Sequence, residues 1–275
     1  MNDPTKRFTG LAEIYSAARP GYPDEAIDHI FKTCNLTENS IAADVGCGTG
    51  ISTRLLASRG IKVIGIEPND DMRNQAESKI ADSKTADSKT AESKTSESKT
   101  SETLSKTNLI SYRKGDAEST GLPDHAVQLV LAAQAFHWFK PEPAIAEFCR
   151  ILSRPGWIAL MWNERDSADD CTNEYGELLL SFPETKNVEM NRGKAGVPLL
   201  ESRMVKDAGV TCFKNFQQLD LNGLCQRAFS SSYAPKQSPD KERLQAGLGK
   251  IFQSYQSGGT VFLRYETSVY LAQAV

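Results

Sequence analysis

The 275-residue chain is 39% apolar and 24% charged, with a net charge of -3 and a pI of about 5.8. That length holds one large domain or two small ones with a full core, and the acidic balance disfavours a sequence-blind grip on nucleic acid. Six cysteines without a CxxC pair exclude zinc-ribbon and iron–sulfur spacing. The polar start Met1–Gly10 has no apolar signal core, and no apolar run reaches the ~18 residues of a membrane span. A cytoplasmic protein with reduced thiols is expected.

In chain order, Pro23–Cys34 carries Ala26, Ile27, Ile30 and Phe31 at helical spacing. Ile41–Val45 is a short apolar strand running into glycines, Ser52–Ser58 a helix stopped near Gly60, and Lys62–Ile66 a strand ending at Glu67. Asp70 to about Ser78 starts a further helix. Leu109–Arg113 is a third strand, followed by Gly115-Asp116, and Val127–Ala133 a fourth, almost wholly apolar. Pro141–Leu152 is a helix with proline just inside its start, and Trp157–Trp162 a fifth strand. Apolar strands alternating with helices predict a parallel sheet covered on both faces. The tail is less regular. Phe213–Leu221 reads as a strand and Pro239–Gln253 as a helix. Thr260–Leu271 reads as a strand in which Val261, Leu263 and Tyr265 alternate, with Val269 and Leu271 following after a change of phase. An antiparallel hairpin at the sheet edge is the expected ending.

One segment stands apart. From Glu77 to Ser101 the chain repeats (Asp/Glu)-Ser-Lys-(Thr/Ile)-(Ala/Ser) five times, with a decayed unit at Glu102–Lys106. A five-residue period gathers no single face on a helix, and Ile80 and Leu104 are its only large apolar side chains. Such a segment cannot bury enough surface to offset its chain entropy. Residues 77–106 therefore read as a solvated insertion, a frayed helix extension or disordered, and not as a domain.

The sharpest chemical signal is Asp44-Val45-Gly46-Cys47-Gly48-Thr49-Gly50, between a strand and a helix. Glycines there let the backbone pass close to a ligand, at the strand ends where open α/β sheets bind them. The dinucleotide fingerprint requires a third glycine where this chain has Ile51. Glu67 follows at the end of the next strand, where a carboxylate can accept both hydroxyls of a ribose. Gly115-Asp116-Ala117-Glu118 follows the third strand, and Gln134-Ala135-Phe136-His137-Trp138 the fourth.

This loop and these strand ends resemble the class I S-adenosylmethionine-dependent methyltransferases, specifically the type 11 methyltransferase domain family. Tyr15-(x3)-Arg19-Pro20-Gly21-Tyr22-Pro23 and the run Ala132–Trp138 resemble its trans-aconitate methyltransferase-like branch. The resemblance covers residues 10–165 well and the tail loosely; the repeat departs from it. It implies an α/β fold: a Rossmann-like, mostly parallel seven-stranded sheet with helices on both faces and the C-terminal antiparallel hairpin. One domain over 1–275 is implied, with the cofactor core at about 10–165 and the acceptor-side region at about 166–275. It further implies S-adenosyl-L-methionine as cofactor, held by Asp44, Gly46, Gly48, Gly50, Glu67, Met72, Asp116, Ala117, Gln134 and Arg19. Met72 packs on the adenine in that reading, Asp116 accepts from its amino group, and the Ala117 amide binds a ring nitrogen. Arg19 is placed to hold a carboxylate by a fork contact, from cofactor or acceptor. Tyr15, Tyr22, Phe136 and Trp138 are candidate aromatic faces for a cation. His137 is the candidate base, and equally a structural histidine.

No metal site is expected. The acceptor is expected to be a small molecule, a carboxylate or hydroxyl compound, in a pocket shaped by Gln134, His137, Trp138 and residues 163–235. The run Trp162-Asn163-Glu164-Arg165 adds polar groups. No (Asn/Asp)-Pro-Pro-(Phe/Tyr) loop, Pro-Cys pair or CxxxCxxC is present. These absences disfavour amide or base amino methylation, cytosine attack and radical chemistry respectively. An RNA methyltransferase, a non-catalytic cofactor-binding or interaction protein, and a nicotinamide oxidoreductase stay open as alternatives.

Overall fold

The computed structural model describes residues 18–91, 109–183, 195–231 and 233–275. Tyr15 and the repeat beyond residue 91 lie outside the described residues. The elements in chain order are α1 (Asp24–Thr33), β1 (Ile41–Val45), α2 (Ile51–Ala57), β2 (Lys62–Ile66), α3 (Asp70–Ala91) and β3 (Ile110–Arg113). They continue with β4 (Val127–Ala133), α4 (Pro141–Ile151), β5 (Leu152–Arg165), α5 (Asp170–Leu180) and α6 (Val197–Leu200). The last are β6 (Val205–Leu219), α7 (Leu221–Phe229), α8 (Asp240–Tyr255) and β7 (Val261–Ala274).

The seven strands form one sheet in the order β3-β2-β1-β4-β5-β7-β6. Strands β1 to β5 pair in parallel, and β7 is antiparallel to both β5 and β6. The mostly parallel sheet and its antiparallel C-terminal pair are thus as the sequence predicts. That pair is joined through α7 and α8 rather than by a tight turn, and the later strand lies inside the earlier one.

Alternation along each strand divides the core. Ala43, Val45, Val130, Ala132, Ile158 and Leu160 meet Ala144, Ile145, Phe148 and Ile151 of α4 on one face. Ala42, Leu129, Leu131, Ala159 and Met161 meet Ala26, Ile27 and Ile30 of α1 and Leu56 of α2 on the other. Both faces of the central strands are dry, which is why those strands read as unbroken apolar runs.

A third cluster lies past the carboxyl end of β5. Leu244, Leu248 and Ile251 of α8, Leu224 and Ala228 of α7, and Tyr175 and Leu179 of α5 close over Val261, Leu263 and Tyr265 of β7. The expected change of phase in this strand does not occur. Its register against β5 runs unbroken from Trp157↔Gln273 to Arg165↔Tyr265, so residues 261 to 271 keep their odd positions on one face. Only the covering changes, from the third cluster to the α1 side.

Helix α3 runs well past Ser78, into the repeat as far as Ala91. Alanine, lysine and glutamate favour helix without any packed face. No helix among the described residues is long and apolar enough to cross a membrane.

Candidate active site

The carboxyl ends of β1, β2, β3 and β4 open onto one cleft of about 280 Å³. Its wall includes Gly46, Gly48, Glu67, Met72, Asp116, Ala117 and Gln134. Seven residues singled out from four separate stretches of sequence therefore meet in one place.

The glycine loop is held from below. Its Gly46 and Cys47 amides donate to the Ile66 carbonyl (2.8 and 3.2 Å). A side chain at Gly46 would collide with Ala135 Cβ (2.7 Å) and the Phe139 ring (2.9 Å), and φ there is +68°. Only glycine lets the loop sit against the segment after β4.

Glu67 lines the cleft from the end of β2. Its Oε2 accepts from the Gly48 amide (2.9 Å) and its Oε1 from the Asn69 amide (2.9 Å). The carboxylate thus ties the glycine loop to the start of α3. Each oxygen keeps acceptor capacity for a ligand hydroxyl. Burial pushes its pKa up, against the pull of those two amides.

Asp44 has a different place from the one expected. It is fully buried and does not line the cleft. Its Oδ2 accepts from Ser52 Oγ (2.7 Å) and Thr53 Oγ1 (2.6 Å), which anchors the first turn of α2 to the end of β1. Burial pushes its pKa up to about 6. Asp44 thus anchors the loop from beneath the cleft wall.

Gly50 likewise lies outside the wall. It caps α2 with φ +74°, and a Cβ there would meet the Tyr112 hydroxyl at 2.1 Å. Gly65 makes room for the same ring, with a Cβ approach of 2.4 Å. Tyr112 was not anticipated, although a glycine inside a strand is a signal of close approach.

Gln134 closes β4 with φ +56°, a left-handed conformation uncommon outside glycine, while its amide donates to the Met161 carbonyl (2.8 Å). Backbone held this way gathers at functional sites. Trp138, Phe139 and Lys140 follow in the cleft wall; the last two were missed, because nothing in their spacing marks them.

His137 does not line the cleft. Its ring lies tilted against that of Trp138 in the cleft wall, with centroids 4.7 Å apart. Phe136 is also removed from ligand contact; it is buried against Phe139 and Phe148. Trp162, expected among polar groups near the acceptor, is a core residue packed edge-on against Tyr270.

The loop carrying Asp116 and Ala117 is braced from α4. Thr120 donates through its amide (2.8 Å) and hydroxyl (2.6 Å) to Glu147 Oε1, and Arg150 clamps Glu147 and the Leu122 carbonyl. Burial works against the charge on Glu147, but the Arg150 and Thr120 hydrogen bonds hold its pKa below the ordinary value.

Arg19 lies beside the cleft, not in it. With Tyr22, Ile51, Gln134, Asn163 and Arg227 it lines a small adjoining hollow, and its Nη2 donates to the Ser230 carbonyl (3.3 Å). Beyond lies a second hollow of about 280 Å³, walled in part by Asn163, Glu164, Arg165 and Arg227. These lie within the stretch 163–235 expected to shape the acceptor side.

Residues 43–160 match the methyltransferase domain family. The chain is 30% identical over 177 residues to an uncharacterized methyltransferase of Mycobacterium tuberculosis, covering 64% of this chain and 60% of the relative. It is 24% identical over 250 residues to an uncharacterized methyltransferase of Schizosaccharomyces pombe, covering 90% and 86%. The chain thus spans about three fifths of the length of the mycobacterial relative. In fold it is similar to a candidate type II methyltransferase from Anaeromyxobacter dehalogenans, at a TM-score of 0.61 and 19% identity, covering 93% and 97% of the two chains.

Proposed function

We propose that the chain is a methyltransferase that uses S-adenosyl-L-methionine and acts on a small-molecule acceptor. The observation that carries this reading is Glu67, whose carboxylate spans the Gly48 and Asn69 amides in the wall of a glycine-floored cleft.

The residues present fit the cofactor. Thr49 lines the cleft with a buried hydroxyl that has no hydrogen-bond partner, which leaves it for a ligand. The Gly48 backbone faces Met72, and a Cβ there would reach its methyl group at 3.4 Å, so the cradle holds space that a side chain would fill. In this reading Glu67 accepts the ribose hydroxyls, Met72 and Ala117 flank the adenine, and Asp116 accepts from its amino group. The bound cofactor supplies a methyl group already activated on a sulfonium. The chain's own part is alignment and exclusion of water, which can supply most of the rate. Tyr22 and Trp138 present aromatic faces in the wall, suited to a cation. Asp44 and Gly50 set the loop, and His137 sets Trp138. The chain is taken as one unit, its core binding cofactor and residues 166–275 completing the sheet and the acceptor side.

Calorimetric titration with S-adenosylmethionine, S-adenosylhomocysteine and NADH tests this. Micromolar binding of both sulfur nucleotides and none of NADH is expected. Binding of NADH alone would move the chain to the oxidoreductases, and binding of none would remove the cofactor assignment.

A further inference from the structure

We propose that Asn163, Asn215 and Gln217 are positioning residues: their side-chain amides fasten residues 18–23 to the sheet, and through that strap they hold Tyr22 in the wall that the cofactor cleft shares with the hollow beside it. The inference rests on the methyl-transfer reading and adds to it three residues outside the stretch 43–160 that matches the family.

Residues 18–23 lead into α1 as Ala-Arg-Pro-Gly-Tyr-Pro and belong to no strand of the sheet. Pro20 and Pro23 have no N–H to give a ladder, so this run cannot be held as a strand is. Its attachment falls to its carbonyls, and a carbonyl packed against protein needs a donor. The carboxyl ends of β5 and β6 supply them. Asn163 Nδ2 and Asn215 Nδ2 both donate to the Gly21 carbonyl (3.0 Å each), and Gln217 Nε2 donates to the Ala18 carbonyl (3.0 Å). An uncharged amide provides such a donor without the cost of burying an ammonium. Arg19 adds a tie from the strap itself, to the Ser230 carbonyl just past α7 (3.3 Å).

The sheet register makes the clamp one unit. Asn163 stands opposite Thr267 of β7, and Asn215 opposite Tyr265. Alternation turns these odd-numbered residues to the face on which Phe213 packs against the α1 cluster. Asn163 is only 6% exposed, and its Oδ1 accepts from Thr267 Oγ1 (2.6 Å) and Asn215 Nδ2 (3.1 Å). With its oxygen occupied twice and an N–H given to Gly21, its amide is held in one orientation. The strap in turn carries wall residues. Tyr22 lines both the cofactor cleft and the small hollow, and Arg19 and Pro20 line that hollow. Asn215 and Gln217 line neither of these, nor the second hollow, so their influence passes through the strap. A misplacement of about 1 Å in a group that orients reactants can cost roughly a hundredfold in rate, and the clamp removes that freedom from Tyr22.

The test removes the donated N–H groups at nearly constant shape, in the double variant Asn215→Leu/Gln217→Met. Gln218→Met is the control, since Gln218 lies on the opposite face of β6 and donates to Thr260. Hydrogen exchange of the peptide spanning residues 18–23, the dissociation rate of S-adenosylhomocysteine and the melting temperature are read together. In the double variant, exchange in the strap should rise about tenfold and the nucleotide should leave roughly three to ten times faster, with melting close to wild type; the control should change none of these. Combined with Tyr22→Ala, the double variant should speed dissociation no further, because both changes act through one side chain. Unchanged exchange in the strap overturns the proposal. So does a loosened strap with unchanged dissociation, or a full additive effect on top of Tyr22→Ala. Faster exchange throughout β6 and β7 with a lowered melting temperature would make the amides merely structural, which also overturns it. If the double variant does not fold, Gln217→Met alone decides by the same readouts, with about threefold effects expected. Absence of S-adenosylhomocysteine binding to the wild type would refute the methyl-transfer reading itself and this inference with it.

Discussion

The two sides of the site are built on different principles. In the glycine-loop cleft, most wall groups come from loops just past parallel strands, and backbone amides tie the pieces together: Gly46 to Ile66, Gly48 to Glu67, Thr120 to Glu147. In the adjoining hollows the wall comes from helices α5 and α7 and the ends of β5 and β7, and its polar groups are side chains from distant parts of the chain. Asn163 reaches Gly21, Asn215 and Thr267, and Arg19 reaches Ser230. A strand-end site is inherited with the sheet; a helix-walled one must be assembled by packing.

That contrast can be broken by substitutions on the cofactor side. The largest effect is expected from Gly50→Val. It places a branched side chain at φ +74° and against the Tyr112 hydroxyl, combining overpacking of about 1–3 kcal/mol with backbone strain of similar size. A melting temperature near wild type would mean that Tyr112 swings aside at little cost.

Next is the pH dependence set by Asp44. Its pKa is about 6 when folded against an ordinary value of 3.8, so the folded state holds the extra proton between those limits. Its contribution to stability is present in full below about pH 4 and is lost as pH rises through about 6, on the order of 3 kcal/mol by linkage. Asp44→Asn should flatten the denaturation profile from pH 4 to 6. An unaltered slope would show that another group, Glu67 foremost, carries the titration, since burial raises it too.

Glu67→Ala sharpens the contrast from the ligand's side. Loss of hydrogen bonds to a charged acceptor at about 1.5–3 kcal/mol should weaken S-adenosylhomocysteine binding roughly tenfold to a hundredfold by calorimetry. It should do so without the large loss of stability expected at Gly50. Equal affinity in wild type and variant would detach Glu67 from the cofactor. The smallest effect belongs to His137→Ala. Removing a ring that supports Trp138 should cost about 0.5–1 kcal/mol, a few-fold drop in turnover with cofactor affinity kept. A loss of several orders of magnitude would restore His137 as a base.

Legibility in the sequence followed the same division. The cofactor side was readable because glycines, a strand-end acid and apolar runs lie within short stretches, and seven of the named residues converge on the cleft wall. What proximity in sequence could not separate was contact from support. Asp44 and Gly50 sit inside the motif yet act below the floor of the cleft, a distinction fixed only when α2 and Tyr112 pack. Helices α5 and α7 were not anticipated. Their apolar residues complete a cluster with α8 and β7, and nothing local announces a face whose partners are tens of residues away. Arg227 was unreadable for that reason, since a lone arginine in a short helix looks like a surface charge.

The interleaving of β7 between β5 and β6 bears on how the molecule is made. Ribosomal synthesis delivers β6 before β7, yet among the described residues β6 bonds to no strand except β7. When residue 219 leaves the exit tunnel, β1 to β5 can already assemble as they emerge, while β6 waits with both edges bare. Its docking must be delayed until α7, α8 and β7 have been added, a span in which a bare strand is exposed to chaperones and to mispairing.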